Sequence, residues 1–446
     1  MKKIPIGIDN FYKLVDENYY FADKTLFIKD IIKESSQVLL IPRPRRFGKS
    51  LNMSMLRYFF TNKNAEKNRE LFNGLKLEKE TEIMKLQGKY PLIYISFKDV
   101  KELSWKNCYS KTTLLISNLF NEFEYLLNSD KLNKKTKNQF EKIWMKEAEQ
   151  SDYEESLKFL CELLYNYHGV RPIILIDEYD QPIISAYMNN FYKEGISFYR
   201  NILSTVLKDN EYLEKAVLTG ILRVAKESIF SGLNNLYVDS ILTNQFNYFG
   251  LSEEEVLEAL KYYERDYEIQ EVKEWYNGYT FGKNLVYNPW SIINFIKADE
   301  LKSFWVNTST NDLIRDGLSN LSKSNYDDFV KTPVSLQKLH EITVDTKEMV
   351  TENFSLLKHF CKIENFNTTN KFDVVYFDVF GYDFQSELWS AEILQQAFDV
   401  LNANGIFVTY ACKGLINRRL KEIGFKVHKT AGPPGKREMI IAVKKI

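Results

Sequence analysis

The chain has 446 residues, 60 Lys+Arg against 60 Asp+Glu, and is 44% hydrophobic and 27% charged. These values exclude a disordered or fibrous chain, and a net charge of zero excludes a protein coated all over in basic surface for nucleic acid. The even sum hides an asymmetry: residues 411–446 hold ten Lys and Arg against Glu422 and Glu438, so they carry about +8 and the rest about −8. The four cysteines, Cys108, Cys161, Cys361 and Cys412, share no C-x-x-C spacing. Neither a zinc ribbon nor a disulfide framework is expected, and a cytoplasmic location fits. The basic-then-apolar start at Met1–Ile8 is cut short by Asp9, before a signal peptide could form. No apolar run approaches the ~18 residues of a membrane span.

In chain order, Val38-Leu39-Leu40-Ile41 predicts a buried strand. It runs into Pro42-Arg43-Pro44-Arg45-Arg46-Phe47-Gly48-Lys49-Ser50, followed by a helical pattern to about Phe60. Leu92–Ile95 predicts a second strand, and 105–168 shows helical periodicity with polar breaks near 130 and 151. Ile173–Ile176 predicts a third strand ending in Asp177-Glu178, and Lys215–Thr219 a fourth. Short apolar strands alternating with long helices predict a parallel sheet in an α/β domain. From 252 to 300 the pattern is helical, with a helix start at Ser252-Glu253-Glu254-Glu255 and a turn at Trp275–Tyr279. A polar stretch at 318–338 marks a boundary. Beyond it the rhythm restarts: strand 372–377, helix 388–402, strand 406–410, helix 415–422, then strands 425–429 and 439–443.

Strand, Gly48-Lys49-Ser50 and helix together make the context of a phosphate-binding loop. Backbone N–H groups at a helix start face phosphate, Lys49 reaches the β and γ oxygens, and the Ser50 hydroxyl suits magnesium. The general pattern begins with Gly, where this chain has Arg43. Asp177 at a strand's carboxyl end suits the same magnesium ion, and Glu178 suits polarising the attacking water. After the fourth strand, Arg223 or Lys226 either neutralises transition-state charge or is a solvated cation at a helix start. Asp23-Lys24-Thr25 precedes a helix and either lies near the nucleotide or, as the preferred reading, caps that helix. His168, His340, His359 and His428 are isolated and suggest no metal chemistry.

Residues 4–318 resemble the AAA-ATPase-like family of P-loop proteins, often joined to a C-terminal PD-(D/E)xK nuclease. The resemblance lies in Ile8–Phe11, Phe21–Thr25, Arg43–Leu51, Ile176–Asp180, Leu218–Lys226, Tyr276–Tyr279 and Trp305–Thr308. It implies ATP and magnesium as ligands. Arg46, Phe47, Gly48, Lys49, Ser50 and Leu51 then form the nucleotide loop, and Arg43 stands where the family itself has Arg. The nuclease motif is absent from this chain.

Lys371–Phe380, Asn404–Tyr410 and Gly432–Met439 carry a second resemblance, spanning about 339–446. They are similar to the carboxyl half of the S-adenosylmethionine-dependent tRNA 5-methylaminomethyl-2-thiouridine methyltransferases of the MnmC/MnmD type. Such an enzyme holds its cofactor on a Gly-rich turn. This chain has no G-x-G and no Gly between Gly317 and Gly381, so S-adenosylmethionine is not expected to bind. Asp378, Lys436 and Arg437 mark the substrate site the resemblance implies. Asp378 either orients a substrate amine or is inert, with Tyr382 and Ser386 replacing prolines of the family's loop. The basic run Arg418, Arg419, Lys421, Lys426, Lys429, Lys436 and Arg437 is either a weak RNA contact or a solvated face.

The expected architecture is therefore α/β: a P-loop NTPase parallel sheet over 1–250, a helical follower over 251–320, a junction over 321–338, and a partial class I methyltransferase-like sheet over 339–446. The function read from it is an ATP-binding, magnesium-dependent ATPase. Two alternatives are a tRNA-modifying methyltransferase relative and a chimeric or decayed product with an inactive tail. A protein or nucleic-acid partner and an oligomer are compatible with either resemblance; a membrane is not expected.

Overall fold

The computed structural model describes residues 1–221, 230, 233–243, 245–302, 304, 343–351, 354–359, 361–379, 385–409, 411–431 and 438–444. The chain forms two compact units, Met1–Asn320 and Leu321–Ile446. The expected junction at 321–338 lies outside the described residues.

Five apolar runs build the first sheet. They are β1 (Val38–Pro42), β2 (Leu92–Ser96), β3 (Ile173–Asp177), β4 (Lys215–Gly220) and β5 (Leu236–Val238), in the order β2-β3-β4-β1-β5. Every pairing is parallel. Continuous apolar strands form because both faces are covered, as a parallel sheet requires. Val38, Leu40, Ile174 and Ile176 face one core with helices α6 (Trp105–Asn121), α8 (Gln150–His168) and α10 (Tyr192–Leu207). Leu39, Ile41, Leu175 and Val217 face another with α1 (Phe11–Asp16), α2 (Leu26–Lys33) and α3 (Lys49–Phe60). The parallel sheet expected from the sequence is present. The helical stretch 105–168 is broken twice. The break expected near 130 lies between α6 and α7 (Lys134–Met145), and the one expected near 151 comes slightly earlier, at 146–149, before α8 begins at Gln150.

The follower holds α11 (Glu253–Tyr262), α12 (Ile269–Tyr276) and α13 (Pro289–Ala298). Ser252 and Glu255 form a reciprocal capping box, so the acidic start is a helix start. The expected turn at Trp275–Tyr279 is corrected. Trp275 and Tyr276 end α12, and Asn277–Phe281 is β6, paired antiparallel with β7 (Asn284–Tyr287). Phe281 and Val286 are buried in the sheet's core, and that burial outweighs the local turn signal of Asn-Gly.

The second unit has β10 (Phe372–Tyr376), β11 (Leu401–Thr409), β12 (Phe425–Ala431) and β13 (Glu438–Lys444) in the order β10-β11-β13-β12. β10 and β11 run parallel, and the other pairings are antiparallel. The expected helix 388–402 is corrected: α14 covers Ala391–Asp399, after a 3₁₀ turn at Ser386–Trp389, and β11 already begins at Leu401. α14 and α15 (Gly414–Ile423) pack with Trp389, Phe407 and Ile440 on one face. On the other face Val374, Tyr376 and Ile406 remain exposed. A hairpin of β8 (Lys347–Thr351) and β9 (Phe354–Leu357) precedes this sheet.

Arg43, at the end of β1, is fully buried. Its guanidinium donates to Asp239 Oδ2 and to the Asp239 carbonyl, each at 2.5 Å, and lies 5.1 Å from the Phe249 ring. Removing one partner leaves a buried charge uncompensated. Asp239→Leu is expected to destabilise the first unit by about 3–5 kcal/mol, and adding Arg43→Met should recover most of that. Urea unfolding of single and double variants checks both.

Candidate nucleotide site

The site begins with backbone geometry at the carboxyl end of β1. Gly48 has φ +81° and precedes the first helical residue of α3, and beyond its own chain neighbours nothing lies within 4 Å of the position its Cβ would take. A side chain there is disfavoured by the left-handed backbone, not by crowding. The first-turn N–H groups of α3 have no intrahelical acceptor, and no side chain caps them at Gly48. Lys49 is buried and donates to the carbonyls of Arg43 (3.1 Å) and Pro44 (2.9 Å). Burial lowers its pKa, while Glu178, Asp177 and Asp180 oppose that shift.

Ser50 and Asp177 meet directly, with the Ser50 hydroxyl donating to Asp177 Oδ2 at 2.7 Å. Asp177 Oδ1 accepts the Thr219 hydroxyl at 2.5 Å, which ties β3 to β4. A hydroxyl and a carboxylate side by side are the hard oxygen donors magnesium takes, with water completing its shell. Glu178, the next residue, has φ +53°. Burial and the neighbouring Asp177 raise its carboxyl pKa, and Lys49 and Lys101 act the other way. Asp180 accepts the Ile221 backbone N–H at 2.8 Å, and a Cβ on Gly220 would sit 2.7 Å from Asp180 Oδ1. Only glycine fits there.

Of these residues Gly48, Lys49, Ser50 and Glu178 open into one cavity of about 620 Å³ within the first unit, with Asp177 behind Ser50. Lys49, Ser50, Glu178, Gln181, Lys98 and Lys101 line its polar part. Its apolar part comes from the N-terminal segment (Ile4, Ile8, Tyr20) and the follower (Tyr263, Ile292, Ile296). Arg46, at φ +69°, lies 4.4 Å from the Trp290 ring, and its Nη1 is buried without a hydrogen-bond partner among the described residues. Phe47 lines the cavity but is buried mainly against Tyr279 and Phe281 of β6. Leu51 lines it as well. Lys24, from the N-terminal segment, pairs with Glu255 of α11 at 2.6 Å.

The first unit therefore has a glycine-started helix, a buried lysine and paired oxygen donors around one cavity. A family model described as "Predicted AAA-ATPase" matches residues 5–230. The chain belongs to the AAA-ATPase-like family. A second model, of an S-adenosyl-L-methionine-dependent methyltransferase family, matches residues 318–445. An "Uncharacterized protein in vnfD 5'region" of Azotobacter chroococcum mcd 1 is 28% identical over 319 residues, 69% of this chain and 54% of the relative. The "tRNA 5-methylaminomethyl-2-thiouridine biosynthesis bifunctional protein MnmC" of Actinobacillus pleuropneumoniae serotype 5b (strain L20) is 32% identical over 72 residues, 16% of this chain and 11% of the relative. The chain spans about half the length of the first relative and about a tenth of the second.

In this AAA-ATPase-like unit the sequence-predicted Arg46, Phe47, Gly48, Lys49, Ser50, Leu51, Asp177 and Glu178 come together. Arg223 and Lys226 lie outside the described residues, as do Lys436 and Arg437 of the methyltransferase-like unit. Asp378 is exposed two residues beyond β10. For Asp23-Lys24-Thr25 both readings find support: Asp23 caps a backbone N–H just before α2, and Lys24 lines the cavity. Asp23 Oδ1 binds the Thr25 N–H and hydroxyl, and Oδ2 accepts the Lys76 N–H, so it also braces a neighbouring turn, while Thr25 makes no side-chain cap. Sequence reading missed the apolar end of the cavity. Its residues are scattered from Ile4 to Ile296, and only the hydrophobic stripe of 289–296 hinted at it. Among the described residues no helix is long and apolar enough to cross a membrane.

A carboxyl group with a raised folded pKa weakens folding once pH exceeds its ordinary value, because its charged form is disfavoured in the fold. Glu178→Gln is therefore expected to raise the thermal unfolding temperature near neutral pH. The gain should vanish as pH falls below the ordinary value of 4.5. Thermal scans of both proteins across pH check the sign.

Proposed function

We propose that the first unit binds ATP with magnesium and hydrolyses it. The observation that carries this reading is that the Gly48-Lys49-Ser50 helix start and Glu178 line one cavity, with Asp177 bonded to Ser50 at its edge. An ammonium group has three N–H donors, and Lys49 uses two on loop carbonyls, which leaves one for a β or γ phosphate oxygen. The first-turn N–H groups of α3 hold further phosphate oxygens. Ser50 and Asp177 would hold magnesium, which when bound neutralises charge on the β and γ phosphates. Glu178 accepts a proton from the attacking water, and its raised pKa brings it closer to the operating pH of a general base. The apolar end, with Tyr263, Ile292 and Ile296, suits the base and sugar.

For the second unit the reading is a methyltransferase-like fold without an assigned activity. Its relation to a tRNA-modifying enzyme's sequence supports a weak RNA contact through residues 418–437. Equilibrium dialysis with labelled S-adenosylmethionine separates this from a cofactor-binding enzyme, and no uptake is the expected result.

Lys49→Ala should weaken ATP binding on the order of 100-fold or more, since it removes a charge-assisted phosphate contact. Unchanged affinity by calorimetry would sink the assignment. Glu178→Gln should bind ATP normally and slow hydrolysis on the order of 100-fold, read as phosphate release.

A further inference from the structure

Besides Lys49, further cations line the cavity, among them Arg45, Lys101 and Lys98, and Lys98 is set apart by its ion pair with Asp9. Its place follows from sheet register. Ser96, the last residue of β2, is the register partner of Asp177, and the Phe97 N–H donates to the Asp177 carbonyl at 3.0 Å. The chain then turns, with the Val100 N–H on the Phe97 carbonyl at 3.0 Å. Phe97 and Val100 are buried and anchor the turn, while Lys98 and Lys101 line the cavity with Lys49 and Glu178.

Lys98 Nζ lies 2.8 Å from Asp9 Oδ2, and the two side chains are 50% and 55% exposed. Asp9, which also lines the cavity, is positioned from the other side. Asn10 caps α1 through the Lys13 N–H, and the Phe11 N–H donates to Ser54 of α3 at 2.9 Å. The pair therefore spans from a helix docked on the phosphate loop's own helix to the end of the strand beside Asp177. An ion pair this exposed is weak, so a partner of higher charge displaces it readily. A terminal phosphate carries more charge and more acceptor atoms than one carboxylate.

We infer that Lys98 exchanges partners: Asp9 holds it in this structure, and a nucleoside triphosphate draws it onto the terminal phosphate, opposite Lys49, and releases Asp9. The inference rests on the nucleotide reading above and adds to it a group that tells a triphosphate from a diphosphate. Asp9 keeps the Lys98 ammonium above its usual pKa, with Glu178 and Asp99 adding to that, so the exchange runs with a fixed positive charge at neutral pH. The release of Asp9 also gives the N-terminal segment, through α1, a reason to respond to the terminal phosphate.

The test is calorimetry on the full chain with magnesium, titrating ADP and a non-hydrolysable ATP analogue. Lys98→Gln is expected to weaken the analogue by about tenfold and leave ADP within about twofold. Asp9→Asn, which removes the competing carboxylate, is expected to tighten the analogue by about threefold without changing ADP. Lys98→Arg keeps the charge and should restore most of the preference. A preference for the analogue over ADP that is the same in wild type and Lys98→Gln overturns the inference. If wild type binds both nucleotides and Lys49→Ala does not, the nucleotide reading still stands in that case. Wild type that binds neither nucleotide overturns both.

Discussion

Both oxygens of Asp177 are engaged inside the protein, one by the Ser50 hydroxyl and the other by the Thr219 hydroxyl. The carboxylate is almost fully buried, so it needs those donors, and they come from α3 and β4. Three elements that are far apart in the chain are thereby held at one point at the carboxyl ends of the strands. The start of α3 cannot shift along the sheet without losing the Ser50 bond. Glu178 follows directly, and its left-handed backbone turns the chain away from the strand beside the cavity. The cavity, the loop and the acidic pair are consequences of one satisfied buried charge.

Arg43 supports the same loop from behind. Where the general phosphate-loop pattern has glycine, this chain places a guanidinium that reaches Asp239, 196 residues away. Asp239 also accepts the N–H groups of Gln245 and Phe246. A buried arginine of this kind is costly unless its charge is paired, and the Asp239 carboxylate and carbonyl, with the ring of Phe249 beside them, pair it. The residue that looked like a departure in the motif is thus a tether between the loop and the segment after β5. Spacing within the motif could not reveal this, because the partner lies outside any local window.

The second unit shows which signals carry through and which do not. Its strands were legible because Val374-Val375 and Ile406-Phe407-Val408 are apolar runs, and α14 and α15 because their apolar residues recur at helical spacing. The β8–β9 hairpin was not legible. Lys347–Thr351 is half polar, and pairing with its neighbour supplies what the pattern lacks. The zero net charge nearly holds within each compact unit as well, because the basic excess after residue 410 is largely offset by the acidic residues of 321–410.

The sequence by itself determined the parallel sheet, the phosphate-loop helix and the pairing of Asp177 with Glu178, because each rests on local pattern: apolar runs, a glycine before a lysine, acids at a strand end. It also determined the restart of an α/β rhythm beyond residue 339. Only the tertiary structure decided that Asn277–Phe281 is a strand, since Phe281 is stabilised by Phe47 at 5.1 Å, far away in sequence. Only it decided that Arg43 answers Asp239, that the N-terminal segment and α13 close one cavity, and that Asp9 reaches Lys98. Each of these depends on burial or charge shared between distant residues, and such interactions leave no periodicity in a chain.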